Sequence, residues 1–265
     1  MIKKFFLLTL TALTVMTAGA QNIVKGSIEG VPAQGSYHPT YSSDGASYLP
    51  KNIILMIGDG TGLAQIVSGY FANNEELTYA NLKHMGWVTT KSATDFTTDS
   101  AASGTAYATG EKTYNYAIGV DLEKKPIPNI PERVTPCGVV CGVVSTDDLN
   151  GATPASFFAH QPQRNMTDEI WADLPASSLI YFAAGSKDVF EKRPAATQNA
   201  IKEAYTVVYS TGSPELATAA KLGVLPPKVE TGYIVDGRTD FLPVATREAI
   251  DFLKSRSHDG LLLHS

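Results

Sequence analysis

Residues 52–62 read Asn-Ile-Ile-Leu-Met-Ile-Gly-Asp-Gly-Thr-Gly, an apolar run that ends in a glycine-rich turn. A short run that is apolar throughout is typical of a parallel strand buried on both faces. A helix is predicted next, over 62–73, because its apolar residues recur at helical spacing from Leu63 to Phe71. A strand, a tight turn and a helix in this order begin an α/β unit.

The same alternation of strand and helix continues along the chain. Further strands are predicted at 87–90, 139–145, 179–183, 207–209 and 233–235, and helices at 99–109, 153–160, 195–205, 214–221 and 243–256. The apolar run 260–265 has the pattern of the start of another strand. The sequence therefore predicts an α/β fold, a doubly wound and mostly parallel sheet with helices on both faces, whose chemistry lies at the carboxyl ends of the strands.

Composition and the first residues indicate where the protein works. The 265 residues carry a formal net charge of −5, and an acidic chain argues against nucleic acid as a partner. Residues 1–20 combine Lys3 and Lys4, an apolar run and a small-residue ending, the pattern of a secretory leader. That run is shorter than the about 20 residues that span a membrane, although a short anchor is the alternative. We expect export to a periplasm or beyond, a surface lead-in over 21–50, and a domain over 51–265.

A second stretch, 97–106, is rich in small residues and reads Thr-Thr-Asp-Ser-Ala-Ala-Ser-Gly-Thr-Ala. Small side chains bury little apolar area and suit a place where backbone approaches something closely. Ser100 falls at the start of the predicted helix, where free N–H groups and the helix dipole attract anions such as phosphate. It is a candidate nucleophile that would need a base or a metal for activation. The alternative is that Thr98 and Ser100 only cap the helix.

Three other residues are candidates for the same chemistry. Asp59 follows the first strand and could hold a hard cation such as Mg²⁺, or be a plain turn residue. Thr153, before Pro154, could give its hydroxyl oxygen to a metal or cap its own helix. Arg164 lies in a polar loop, where it could bind a phosphate through two parallel hydrogen bonds or remain solvated. The pair 147–148 is interpreted as a turn rather than as a second metal site.

Together and in this order, these segments resemble the alkaline phosphatases. The matching segments are 52–60, 98–106, 109–115, 144–155 and 160–164, and the likeness is good from about 51 to 190. The resemblance implies an exported, metal-dependent hydrolase of small phosphate monoesters, which forms a phosphoserine and releases inorganic phosphate. It also implies two zinc ions and one magnesium ion as cofactors, and a possible homodimer.

The resemblance assigns a role to each candidate residue. Ser100 would be the nucleophile and, with Asp59, would contact zinc, while Asp59 and Thr153 would hold Mg²⁺. Arg164 would bind the phosphate oxygens. Asp99 would support Arg164 and the surroundings of the nucleophile.

The chain departs from the family pattern in two ways. Gly151 stands where the family usually has an Asp or a His in the magnesium surroundings. The glutamate for magnesium and the zinc ligands of the family's C-terminal half, an Asp-x-x-x-His pair, an Asp-His pair and a lone His, are not recognisable. We therefore expect the N-terminal portion of such an enzyme, truncated near Gly260 and weak or inactive alone. The alternatives are a superfamily phosphodiesterase or sulfatase-like hydrolase, a non-catalytic exported phosphate-binding protein, and an inactive fragment.

Overall fold

The structure, a computed structural model, describes residues 35, 38, 50–185, 187–257 and 259–264. The predicted leader, 1–20, and nearly all of the predicted lead-in lie outside the described residues. The chain divides into two compact units, one of 1–42 with 61–85 and the other of 43–60 with 86–265. The second unit holds the sheet and every candidate site residue.

The described strands form one six-stranded parallel sheet. They are β1 (Asn52–Leu55), β2 (Val140–Asp148), β3 (Leu179–Gly185), β4 (Thr206–Val208), β5 (Leu222–Val224) and β6 (Leu261–His264), in the spatial order β1-β6-β2-β3-β5-β4. The strand that is last along the chain thus lies between the first two, since His264 is in register with both Leu55 and Val143.

The helices vary widely in length. The first unit contains α1 (Leu63–Ala72). The second contains α2 (Ser100–Thr109), α3 (Ile130–Val134), α4 (Ala152–Ala155), α5 (Thr167–Asp173), α6 (Lys187–Phe190), α7 (Ala195–Ala204), α8 (Lys228–Thr231) and α9 (Phe241–Arg256). Short 3₁₀ turns occur at Thr78–Asn81, Thr135–Cys137, Leu174–Ala176, Pro214–Ala217 and Ile234–Asp236. Within the described ranges, no helix is long and apolar enough to cross a membrane.

The core lies on both faces of the sheet, as β3 shows. Tyr181 and Ala183 belong to one buried cluster, together with Phe252 and Leu253 of α9. Phe182 and Ala184 belong to the other cluster, which contains aromatic residues of the helical segments that follow β2. Because successive side chains of a strand point to opposite faces, this alternation requires cover on both sides. The predicted two-sided α/β sheet is confirmed.

Several predicted elements are confirmed with small shifts of boundary. The first strand, the strands near 139–145, 179–183 and 207–209, and the helices near 62–73, 99–109, 195–205 and 243–256 are all present. The run 260–265 provides β6. Most of these segments combine an apolar run or period with a recognisable end, and the small-residue helix near 99–109 has clear capping residues at both ends, which explains the agreement.

Four predictions of secondary structure are wrong. Residues 87–90 form no strand, and Trp87 is 96% exposed, so this segment has no sheet neighbour to bury its apolar side chains. Residues 233–235 turn into the 3₁₀ segment Ile234–Asp236, and 214–221 holds only the turn Pro214–Ala217. The predicted helix 153–160 ends at Ala155 and begins before Thr153, with Gly151 as its N-cap.

Candidate active site

Helix α2 places its first residue, Ser100, at a well-defined start. Asp99 is the N-cap, and its carboxylate accepts a hydrogen bond from the N–H of Ala102 at 3.0 Å. Gly110 ends the helix in the left-handed conformation, with φ of 82°. An acidic N-cap and a glycine C-cap are the preferred ends of a helix, so the local sequence fixes where Ser100 stands.

Asp59 joins Ser100 and Thr153. The Ser100 hydroxyl donates to Oδ1 of Asp59 at 3.0 Å, and the Thr153 hydroxyl donates to Oδ2 at 2.8 Å. Asp59 is exposed to solvent, while Ser100 and Thr153 are half-buried. One carboxylate and two hydroxyls, all oxygen donors, therefore come from three separate parts of the chain to one accessible place.

Asp99 links this group to Arg164. Its Oδ2 accepts a hydrogen bond from Nη1 of Arg164 at 3.2 Å, and its Oδ1 accepts one from the backbone N–H of Tyr116 at 3.1 Å. The N–H of Arg164 in turn donates to the carbonyl of Tyr116 at 2.8 Å. Arg164 is thus held through its side chain and its backbone, beside the residue that precedes Ser100.

Tyr116 is a site residue that the sequence did not indicate. Its φ is 76°, a left-handed conformation that is unfavourable for a residue with a Cβ. It contributes through its backbone groups, so its side-chain type carries no signal of the role. Unusual backbone of this kind concentrates at functional sites, where surrounding contacts hold it in place.

Asp147 and Asp148 are the last two residues of β2 rather than the predicted turn, and they add further negative charge near Asp59. Burial raises the pKa of the Asp147 carboxyl, and the charges of Asp148 and Asp59 raise it further. The N–H of Asp148 donates to Oδ1 of Asp147 at 2.8 Å, and Lys228 pairs with Asp148 at 3.4 Å. The oxygen that remains, Oδ2 of Asp147, faces Gly151.

The structure brings all five predicted site residues into one region of the second unit. Asp59, Ser100 and Thr153 share direct hydrogen bonds, and Asp99 connects Ser100 to Arg164. Thr153 is not a helix cap, because Gly151 takes that position, so its hydroxyl is free to reach Asp59. The roles of these residues in binding and catalysis stay predictions.

A comparison with protein families assigns the chain to a family. The alkaline phosphatase family model matches residues 50–199, which is more than half of the sequence. The chain belongs to the alkaline phosphatase family. The match includes all five predicted site residues.

Individual relatives agree with this assignment. The chain is 35% identical over 185 residues to alkaline phosphatase H of Pseudomonas aeruginosa, which covers 65% of this chain and 37% of the relative. It is 36% identical over 173 residues to alkaline phosphatase 4 of Bacillus subtilis, which covers 62% and 36% respectively.

A solved structure gives the same result. Alkaline phosphatase from the Antarctic bacterium TAB5 superposes with a TM-score of 0.76 at 34% identity, covering 82% of this chain and 65% of that one. A mutant of the TAB5 enzyme was solved with Mg bound in the M3 site. The chain spans about a third of the length of these two curated relatives and just under two thirds of the TAB5 chain.

Proposed function

We propose that this site hydrolyses phosphate monoesters with the help of bound metal, through a phosphoserine at Ser100. The observation that supports this proposal best is the position of Ser100. Its hydroxyl stands at the first position of α2, donates to Asp59 at 3.0 Å, and has Arg164 anchored next to it by Asp99. A nucleophile, a carboxylate that can bind a metal ion and a phosphate-binding cation are thereby adjacent.

The chemistry consists of two displacements at phosphorus. Oγ of Ser100 forms a bond to phosphorus, the P–O bond to the alcohol breaks, and the alcohol leaves with a proton from solvent. Water then attacks the same phosphorus, the bond to Oγ breaks, and inorganic phosphate is released. The Ser100 hydroxyl donates to Oδ1 of Asp59, which orients Oγ, and its proton passes to solvent as the bond to phosphorus forms. Arg164 orients the phosphate oxygens, and the helix dipole at the start of α2 favours their negative charge.

The donor set fits magnesium. Mg²⁺ is held by one or two carboxylates, completes its octahedron with water or substrate oxygens, and also accepts hydroxyl oxygens. Asp59 and Thr153 would hold the ion, beside Ser100. When bound, it would neutralise the carboxylate and favour ionisation of the serine hydroxyl. The TAB5 mutant with Mg bound supports this choice of metal.

The described residues do not fit the two zinc ions of the family. Zinc sites take three or four protein ligands, mostly Cys, His, Asp or Glu. Among the residues that the structure describes, no group of three or more such side chains could hold a metal ion. Because these ligands are not found there, we propose that this polypeptide alone turns over phosphate esters slowly. We propose separately that the protein is exported, on the leader pattern of residues 1–20.

The test combines phosphoryl trapping with steady-state turnover. The parent chain, Ser100→Ala and the matched control Ser103→Ala would be incubated with p-nitrophenyl phosphate, Mg²⁺ and Zn²⁺, then acid-quenched for peptide mass spectrometry. Ser103 lies on the same helix and donates to the Asp99 carbonyl at 2.9 Å, so its loss should not affect phosphoryl transfer. We expect a phosphoryl group on Ser100 in the parent and the control, and none in Ser100→Ala.

Each contrary result has a distinct meaning. Phosphate on another residue, or none in any variant, would overturn the nucleophile assignment. Fast turnover that disappears in Ser100→Ala would support the nucleophile and refute the slow activity. A preference for diesters over monoesters would favour the phosphodiesterase-like alternative. Phosphate binding without hydrolysis, with or without metal, would favour a binding protein.

A further inference from the structure

The carboxylate of Asp147 occupies space that Gly151 leaves open because glycine has no side chain. A Cβ built on Gly151 would lie 2.1 Å from Oδ2 and 2.7 Å from Cγ of Asp147, so any other side chain there would collide with this carboxylate. The backbone of Gly151, at φ −55° and ψ 146°, suits most residues, so the conformation does not require glycine. Space does, and it is filled by the Asp147 carboxylate and, at 2.8 Å from that Cβ, by the backbone carbonyl oxygen of Asp148.

The segment around Asp147 is fixed on several sides. The N–H of Asp148 donates to Oδ1 of Asp147 at 2.8 Å, and the N–H of Gly151 donates to the carbonyl of Asp148 at 2.7 Å. The N–H of Leu149 donates to the carbonyl of Gly185, which ties the segment to β3. Thr153 follows directly and reaches Asp59. The end of β2, which carries Asp147, and the start of α4, which carries Thr153, are therefore joined by one short, braced turn.

We propose that Asp147 is a positioning residue for the magnesium site at Asp59 and Thr153, acting on the ion by its charge from outside the direct ligands. This inference rests on the proposed function, because that proposal places the cation. In the described ranges no Lys or Arg forms an ion pair with Asp147, and Lys228 pairs with Asp148 instead. A divalent cation at Asp59 would offset the repulsion between the two carboxylates of Asp59 and Asp147.

The electrostatics of the cluster agree with this assignment. Burial raises the pKa of Asp147, and the charges of Asp148 and Asp59 add to it, while the Asp148 N–H and Lys228 act in the opposite direction. A carboxyl whose pKa is raised on folding adds stability at low pH, and this stability is lost as the pH rises through its folded value. Ionised Asp147 therefore costs stability at neutral pH without the cation, and a cation bound at Asp59 would offset part of this cost.

The experiment measures Mg²⁺ affinity by calorimetry and thermal unfolding with and without Mg²⁺, using the parent chain, Asp147→Asn, Asp148→Asn and Asp59→Asn. Asp147→Asn should weaken Mg²⁺ binding about 10- to 100-fold, the usual effect of losing an outer partner of a metal. Its unfolding temperature without Mg²⁺ should equal or exceed that of the parent. Asp148→Asn, the same charge change one residue away, should leave the affinity near that of the parent.

A further variant moves the carboxylate without removing charge. Gly151→Ala places a methyl group against Oδ2 of Asp147 and against the carbonyl oxygen of Asp148, so it should also weaken Mg²⁺ binding, and its unfolding temperature without Mg²⁺ shows how far the backbone is disturbed. If Asp59→Asn weakens binding but Asp147→Asn does not, or if Asp148→Asn matches Asp147→Asn, the inference about Asp147 is overturned and the magnesium site stands. If the parent does not bind Mg²⁺, or Asp59→Asn changes nothing, the magnesium site itself fails. A less stable metal-free Asp147→Asn would indicate a structural role only.

Discussion

At the scale of single residues, the two carboxylate oxygens of Asp99 bind different partners. Oδ1 accepts hydrogen bonds from the N–H groups of Ala102 and Tyr116, which caps α2 and fixes the following loop. Oδ2 faces Nη1 of Arg164 at 3.2 Å, with Asp99 largely buried and Arg164 half-exposed. Since Oδ1 supports the fold and Oδ2 holds Arg164, substitutions of Asp99 can separate its effect on stability from its effect on Arg164.

Asp99→Asn and Asp99→Ala should therefore differ in their free energies of unfolding but weaken phosphate binding alike. Asparagine caps helices about as well as aspartate, so Asp99→Asn should stay within about 1 kcal/mol of the parent in the free energy of unfolding. Asp99→Ala removes the cap and should lose about 1–2 kcal/mol. Both release Arg164 and should weaken the binding of inorganic phosphate. Urea unfolding and phosphate calorimetry measure the two effects.

Asp95→Asn serves as a control, because this exposed carboxylate accepts from Thr94 and lies outside the Asp99 network. Asp95→Asn should change neither the free energy of unfolding nor the affinity for inorganic phosphate. The division of labour between the two oxygens would be wrong if Asp99→Asn lost as much stability as Asp99→Ala, or if neither variant affected phosphate binding.

The sequence could predict some site residues and not others for a physical reason. Ser100, Asp59 and Arg164 act through side chains whose chemistry is evident from the residue type, and Ser100 and Asp59 also lie near the boundaries of α2 and β1. Tyr116 acts through backbone groups, which every residue has. Asp147 resembles a turn residue in sequence, and only its contact with Gly151 shows where its carboxylate points.

At the scale of elements, the small residues of α2 permit a close approach to α4. A Cβ on Gly104 would meet Oγ of Ser156 at 2.8 Å and Cα of Thr153 at 3.4 Å. Ser156 is buried, and its hydroxyl donates to the Ala152 carbonyl at 2.8 Å, so it cannot move aside freely. This contact holds the Thr153 segment against the helix that begins with Ser100.

Gly104→Ala tests whether packing outweighs helix propensity. Alanine gains about 1 kcal/mol over glycine inside a helix, whereas overpacking a rigid site costs about 1–3 kcal/mol. We expect a net loss of about 1 kcal/mol in the free energy of unfolding, measured in urea, because the hydroxyl it meets is bonded and buried.

Gly69→Ala is the matched control, since Gly69 lies inside α1 with nothing within 4 Å of an added Cβ. It should gain up to about 1 kcal/mol. The double variant Gly104→Ala with Ser156→Ala should be less destabilised than the sum of the single variants. A stabilising Gly104→Ala would show that α2 and α4 are not tightly packed.

Helices and strands that form from their own local sequence are predicted well, and those that depend on distant residues are predicted poorly. Helix α2 carries its own start and stop signals at Asp99 and Gly110. Strand β5 was missed because it is short and contains Gly223, whose missing side chain makes room for the Phe182 ring from β3. The apolar segment 233–235 resembles a strand but finds no sheet neighbour and stays exposed. Such partners are set by tertiary structure and do not appear in local patterns.

At the scale of the whole molecule, the order of the sheet positions the site. Strands β1 and β2 do not pair with each other, because β6 lies between them. The parallel arrangement nevertheless brings the turns after β1 and β2 to the same edge, where Asp59 and Thr153 meet. The sequence predicted the parallel sheet and this edge. It could not predict the insertion of β6, because the pairing joins residues about 200 positions apart, with only short apolar segments to specify it.

The pH dependence of stability is a further property of the whole molecule, and Glu248 of α9 contributes to it. Its Oε1 accepts the N–H of Gly212 at 2.6 Å, while Oε2 is buried and has no hydrogen-bond partner among the described residues. Burial raises the pKa of Glu248, against the opposing effect of the Gly212 hydrogen bond. Burial and the charge of Glu248 also raise the pKa of Tyr181, whose hydroxyl is unpaired in the described structure.

Glu248→Gln should therefore flatten the decline in stability between acidic and neutral pH. A raised carboxyl pKa adds stability below the unfolded value, and this is lost as the pH rises through the folded value. Glutamine carries no charge and keeps an oxygen for Gly212, so the variant should gain under about 1 kcal/mol at pH 7. Unfolding in urea at a series of pH values, against the exposed control Glu203→Gln, measures the difference. Parallel curves for the parent and Glu248→Gln would show that Glu248 ionises as freely in the folded protein as in the unfolded chain.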